Sequence, residues 1–297
     1  MKKIDIHAHV MTFPECYPPR FGDGERFFDA EKQFEIYDKI NVERGVLLPL
    51  ISPESQWCII SNESAKLAAD KYPDRFSWFC NVDPRMGDNS SETNLGYILE
   101  YYKKLGAKGL GELTANIYAD DPRNDNLFGY CEMLDMPVLI HIAPAPACSY
   151  GIIDDPGLPR IEKMLKKHPG LKLIGHSAAF WYEFSKTADT DNRNGYPSGK
   201  ITEEGRVSKL MREYGNLYCD LSAGSGSNAM MRDREFTAKF FEEFADRIFY
   251  GCDCCSTKNT FQYDFDKFLN EMLADGMLSR ENYEKIIRKN AEKLLGI

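Results

Sequence analysis

Short apolar runs recur along the chain, separated by longer stretches whose apolar residues follow helical spacing. The runs are IDIHAHV (4–10), GVLLPLI (45–51), FSWFCNV (76–82), AKGLGEL (107–113), PVLIHIA (137–143), LKLIGHS (171–177), NLYCDLS (216–222) and IFYGCDC (248–254). Their length and their Val, Ile and aromatic content predict strands. The intervening segments 29–44, 54–72, 92–105, 126–134, 159–168, 203–214 and 232–245 carry the one-sided apolar stripe of helices laid over a sheet. Strand and helix in alternation predict parallel pairing. Eight such units, in a chain of 297 residues, most simply close into one (β/α)₈ barrel domain spanning 1–297. An open doubly wound sheet is the alternative, but no Gly-rich phosphate turn follows the first run. A last helix, 280–295, either covers the bottom of the barrel or packs against a second subunit of a homo-oligomer.

The polar residues within these runs are unevenly placed. Of the five histidines, four stand near the ends of predicted strands: His7 and His9 on the first, His141 on the fifth, His176 on the sixth. Glu112 ends the fourth and Asp253 lies at the end of the eighth. Alternation along a strand puts His7 and His9 on one face. A lone His in an apolar strand is ordinarily a hydrogen-bonded core residue. Six metal-competent side chains at corresponding ends instead predict one shared centre, because barrel active sites are assembled from the carboxyl ends of several strands. Imidazole and carboxylate donors suit a divalent ion, zinc first and manganese second.

Composition narrows the functional classes. A charge of −9 with no basic run excludes a nucleic-acid footprint and disfavours an anionic membrane surface. No segment approaches the length of a membrane helix, and the apolar stretch near the amino terminus is broken by Asp5, His7 and His9, unlike a signal-peptide core. Nine cysteines, an odd number, point to reduced thiols and a cytoplasmic protein. The cluster Cys252, Cys254 and Cys255 flanks Asp253, where a thiolate could also ligate or tune a metal.

Taken in order, His-x-His on strand one, His on strands five and six, and Asp on strand eight resemble the amidohydrolase superfamily. IDIHAHV, LIGHSAAF, YCDLS and YGCDCCS followed by NAEKLLGI are similar to its amidohydrolase-related (amidohydrolase 2) branch, which includes aminocarboxymuconate-semialdehyde decarboxylase. The resemblance implies a distorted TIM barrel with one or two divalent ions. It implies that His7, His9 and His141 are ligands, that Asp253 is a ligand or close partner and the general base, and that His176 holds a second ion or orients water and polarises the substrate. Strand four departs from the superfamily members in which a carboxylated lysine bridges two ions: Lys108 lies too deep and Glu112 is better placed. A glutamate there resembles the arrangement in TatD-like deoxyribonucleases and some lactonases, and otherwise reads as a substrate-facing or salt-bridged carboxylate. Cys254, Cys255 and Ser256 also stand where the branch commonly has an aromatic and proline sequence.

Substrate choice falls to the loops. Three are long, 11–28, 178–199 and 223–233, and Arg20, Arg85, Arg193 and Arg232 are candidates to clamp a carboxylate. Gly224 and Gly226 suit either a lid-like motion of the last or, more plainly, a static flexible connection. Asp5 and Asp220 read either as carboxylates behind the ligating histidines or as buried residues bonded to backbone. The resulting expectation is a metal-dependent hydrolase of a small amide, lactone or ester. A nonoxidative decarboxylase or hydratase of an unsaturated or aromatic acid, and a barrel that binds metal or ligand without turnover, are the alternatives.

Overall fold

Among the described residues, nine strands carry the core of the computed structural model: β1 (Lys3–Ala8), β2 (Val42–Leu47), β3 (Phe76–Trp78), β4 (Leu110–Leu113), β5 (Val138–Ala143), β6 (Ile152–Ile153), β7 (Leu173–His176), β8 (Leu217–Asp220) and β9 (Ile248–Phe249). The structure describes all residues except 21–23, 56–57 and 187–191. Parts of the first and sixth predicted loops, and of the predicted helix 54–72, therefore lie outside the described residues.

All ladder pairs are parallel and follow chain order, β1-β2-β3 in one sheet and β4-β5-β7-β8-β9 in the other, with β6 hung beside β5. Backbone bonds join the two sheets at both seams. Cys80 pairs with Leu110, and Gly111 N donates to Cys80 O (2.9 Å). On the other side Ile6 N donates to Tyr250 O (3.0 Å) and Asp253 N to His7 O (2.9 Å). The order never reverses, so there is no switch point and the fold is the barrel, not the doubly wound sheet.

Helices Ala30–Lys39, Asn62–Lys71, Gly96–Lys104, Pro122–Met133, Pro159–Lys167, Arg206–Glu213 and Arg234–Phe244 fall within or close to the predicted segments. Asp29, Ser61, Asp121 and Asp233 cap four of them by accepting backbone N–H bonds, which satisfies donors that the first turn leaves open. Strands β3 and β9 are shorter than their apolar runs, because the chain leaves the ladder where it turns into the site.

Two clusters divide the core. An outer one packs helices on strands. An inner one fills the barrel with Ile4, Ile6, Val46, Leu48, Phe79, Leu139, Ile174 and Phe249, and Ala291 and Leu295 of the last helix (Asn290–Leu295) belong to it. That helix therefore covers the bottom of the barrel.

The segment 223–233 differs from its sequence reading. It forms a helix, Ala223–Met231, where the sequence reads as a Gly- and Ser-rich loop, either a lid or a plain flexible connection. A Cβ on Gly226 would stand 2.4 Å from Leu221 O, and one on Gly224 would stand 2.9 Å from the Tyr196 hydroxyl. These glycines admit close neighbours rather than motion.

Candidate metal centre

β1 delivers His7 and His9 by breaking its own alternation. Ile4 and Ile6 belong to the inner cluster, but Ala8 belongs to the outer one, and the register with β2 shifts between Asp5 and Ala8. The irregularity turns His7 and His9 inward above the isoleucines, as a bulge re-aims side chains. It also removes Asp5 from the centre. Its carboxylate instead accepts bonds from Tyr37 Oη (2.6 Å), His7 N (2.9 Å) and Cys252 N (2.7 Å), and burial lifts its pKa to about 6 against those bonds. Of its two sequence readings, the structural one holds.

The two imidazoles are held from behind. His9 Nδ1 donates to Leu48 O (2.9 Å), and His7 Nδ1 faces Asp220 Oδ2 (2.7 Å). Burial alone would raise Asp220, but the bonds and charges of His176 and His7 hold it well below the usual carboxylate range, so it accepts and His7 donates. The two Nε2 atoms then face each other, 3.0 Å apart. Two ring nitrogens this close need a positive centre between them, a shared proton or a metal ion that replaces it. Around a tetrahedral ion with ligands at about 2.1 Å, ligand atoms lie about 3.4 Å apart. Glu112 Oε2 is 3.6 Å from His7 Nε2 and 3.4 Å from His9 Nε2; Asp253 Oδ1 is 3.7 and 3.6 Å from the same atoms. The donor set thus has the chemistry and the spacing that a divalent ion requires.

His141 Nδ1 meets Glu112 Oε1 at 2.7 Å, and His176 Nε2 lies 3.9 Å from both Glu112 Oε1 and Asp253 Oδ2. All six residues picked out in the sequence therefore converge. Charge accounts for the electrostatics. Burial would lower His7, yet the carboxylates of Asp253, Asp220 and Glu112 raise it well above its ordinary value. Burial would raise Glu112, yet His141, His7 and His9 hold it well below. His141 is lowered, chiefly by burial. The same field that charges His7 would hold a cation.

Three non-glycine residues at the strand ends have positive φ: Ser177 (115°), Ala223 (62°) and Asp253 (49°). All three line one cavity of about 310 Å³, with His9, Glu112, His141 and His176 also in its wall. Concentrated backbone strain of this kind is a property of functional sites. With 21% of its side chain exposed, Asp253 is the most open of the three carboxylates.

The family model described as Amidohydrolase matches residues 4–297. The chain belongs to the amidohydrolase family. No curated protein matches it. Among solved structures, this amidohydrolase-family chain is similar to an uncharacterized TIM-barrel protein of Bordetella bronchiseptica, at 18% identity and a TM-score of 0.64, covering 100% of this chain and 99% of that one. It is also similar to 2,6-dihydroxybenzoate decarboxylase from Rhizobium (18%, TM-score 0.59, 100% and 99%). A third likeness is to a probable 2-pyrone-4,6-dicarboxylic acid hydrolase from Acinetobacter baumannii (15%, TM-score 0.61, 100% of both chains). At these identities the likeness establishes the barrel fold.

The cavity of this amidohydrolase-family barrel corrects the arginine reading. Of the four candidates only Arg20 lines it. Arg85 forks onto Glu54 (2.6 and 2.9 Å) and Asp83, Arg193 is buried against Asp154 O (2.8 Å) and beside Glu183, and Arg232 bonds Ser185 Oγ. Arg20 lies over the Phe27 ring and donates to Cys255 Sγ (2.7 Å). Burial keeps Cys252 and Cys254 as thiols, the latter pushed up to about 12, and no cysteine joins the ligand-spaced groups among the described residues. Ser222, Tyr150 and Tyr196 were missed in the sequence. Ser222 Oγ donates to Asp220 Oδ2 (2.6 Å) beside His7 and His176, and the Tyr150 ring packs 4.2 Å from His141. No pattern distinguishes a serine two residues past an aspartate, or loop tyrosines, from surface residues.

Proposed function

We propose that this chain is a metal-dependent hydrolase of a small carbonyl compound, an amide, lactone or ester, with the ion held by His7, His9, Glu112 and Asp253. The observation that carries the reading is the pair of Nε2 atoms of His7 and His9, 3.0 Å apart, opposed by two carboxylates at ligand spacing and opening into a cavity. A divalent ion supplies Lewis acidity there, polarising a carbonyl and acidifying a water molecule. Asp253 takes the proton of the attacking water as the new C–O bond forms, and returns it to the leaving nitrogen or oxygen as the old bond breaks. His176, whose Nδ1 faces Asp220 Oδ2, presents Nε2 to the same space and orients the attacking water by accepting one of its hydrogen bonds. Phe27, Tyr150 and Tyr196 wall off the substrate, and Arg20 orients a negatively charged end.

A nonoxidative decarboxylase is the second reading. Arg20 on the wall and the Tyr150–His141 ring contact suit a planar carboxylic acid, and one similar structure is a dihydroxybenzoate decarboxylase. Protein purified without chelator or affinity nickel should be assayed on lactones, aryl esters and N-acyl amides, and in parallel for CO₂ release from hydroxybenzoates. Hydrolysis that is lost with chelator and restored with zinc or manganese is expected; CO₂ release without hydrolysis would install the second reading. Asp253→Asn is expected to retain metal while kcat falls about 10²- to 10⁴-fold. An unchanged rate would remove Asp253 as the base.

A further inference from the structure

The helix Ala223–Met231, nine residues long, starts just past β8, and its first three residues, Ala223, Gly224 and Ser225, all line the cavity. The opening N–H groups of a helix have no partner within it. Ala223 N donates to Cys252 O (3.2 Å) and Gly226 N to Ser222 O (3.2 Å), but the N–H groups of Gly224 and Ser225 have no acceptor among the described residues. Ser222 stands at the capping position and does not cap; its hydroxyl is given to Asp220 Oδ2 (2.6 Å). The first turn holds no acidic residue.

Ser225 is 4% exposed, yet its hydroxyl has no hydrogen-bond partner among the described residues. Helical side chains lean toward the amino terminus, so this hydroxyl stands beside the two open amides in the cavity wall. A buried hydroxyl left without a partner costs free energy, which an acceptor arriving through the cavity offsets. Tyr196 closes over the same point: a Cβ on Gly224 would stand 2.9 Å from its hydroxyl. That hydroxyl has no partner among the described residues either, and partial burial, then the charge of Asp253, raise its pKa and keep it a donor. The two acidic residues in the wall, Glu112 and Asp253, face the histidines. Gly224 N, Ser225 N, Ser225 Oγ and Tyr196 Oη are thus donors without an acceptor, and the positive end of the helix dipole lies behind the first three.

We propose that this helix end is a carboxylate subsite, and that the substrate is a small carboxylic acid seated by Gly224 N, Ser225 N and Ser225 Oγ, with the Tyr196 hydroxyl as a further donor. The oxygens of a carboxylate each accept more than one bond and match such a set. The reacting group of that acid reaches the histidines and carboxylates in the wall of the same cavity, and Arg20, also in that wall, draws the anion in by its charge. This inference rests on the cavity being the substrate site, as the hydrolase reading holds, and adds the chemical class of the substrate.

The test is isothermal titration of zinc-saturated protein with benzoate and with nitrobenzene, which has the same shape and no net charge. Benzoate is expected to bind about tenfold or more tightly, the effect of hydrogen bonds to a charged acceptor. Ser225→Ala is expected to weaken benzoate by about tenfold and to leave nitrobenzene unchanged. Ser225→Asp puts a carboxylate at the helix end, where an aspartate in the first turn is favourable, and is expected to abolish benzoate binding. Ser225→Ala keeps the inference testable should the aspartate variant not fold. Equal affinity for the two probes, no benzoate binding, or benzoate binding unchanged in the folded Ser225 variants, with the carboxylate then held by Arg20 or the ion, overturns the subsite. Binding is read without turnover, so the subsite and the hydrolase reading fail separately. Hydrolysis absent on every substrate beside Ser225-dependent benzoate binding overturns the hydrolase reading and supports the subsite; metal-dependent hydrolysis of neutral esters beside Ser225-independent binding overturns the subsite alone.

Discussion

Asp220 holds two imidazoles with one oxygen, His7 Nδ1 at 2.7 Å and His176 Nδ1 at 3.1 Å, while its Oδ1 accepts from Ser222 N at 2.9 Å. Carboxylates placed behind ligating histidines fix both ring orientation and tautomer, and their loss costs about 10- to 100-fold in metal affinity. Asp220→Asn is therefore expected to weaken zinc or manganese binding by about that factor, measured by competition with a chelating dye; unaltered affinity would assign Asp220 to the core alone. Away from the centre, Arg85 offers a pH test. Burial would raise Asp83, but the guanidinium outweighs it and holds Asp83 below its ordinary value; Glu54 is lowered first by the same Arg85. Depressed carboxylates add stability that is complete above their unfolded values, about 3.9 and 4.3, and lost as pH falls through the folded ones. Arg85→Leu should thus lower Tm at pH 7 and flatten the fall of Tm between about pH 5 and 3. A parallel downward shift with the same slope would contradict this assignment.

At the scale of elements, the helix Ala223–Met231 starts directly after β8 and brings Ala223, Gly224 and Ser225 to the cavity. Its approach to the strand depends on Gly226, whose added methyl would meet Leu221 O at 2.4 Å. That neighbour is backbone and cannot rotate away. Gly226→Ala is expected to destabilise the protein by about 1–3 kcal/mol, read from urea unfolding, even though alanine is the better helix former. A stabilised variant would show that the helix can shift without cost. Alternation failed in β1 for a related reason. A period of two places Ile4, Ile6 and Ala8 together, but the register shift between Asp5 and Ala8 separates them, and a bulge leaves no mark in the pattern of apolar residues.

For the molecule as a whole, one end of the barrel is closed by apolar packing and the other carries the ligands. Leu295 is 2% exposed within the inner cluster, so Leu295→Ala should cost about 2–5 kcal/mol while leaving metal content unchanged. Loss of metal in the folded variant would mean that the two ends are coupled. No helix among the described residues is long and apolar enough to cross a membrane.

The alternating runs, read alone, determined the parallel α/β barrel and the six side chains at its strand ends, because period, strand length and the rarity of histidine are properties of the chain itself. The tertiary structure decided the remainder. It showed that 223–233 is a helix, that three of the four arginines are spent on neighbours, that Asp5 is bound to Tyr37 and Asp220 to the histidines, and that each oxygen of Glu112 faces a different imidazole pair. These depend on which atoms meet across residues far apart in sequence, and the distances between strands are set only when the barrel closes.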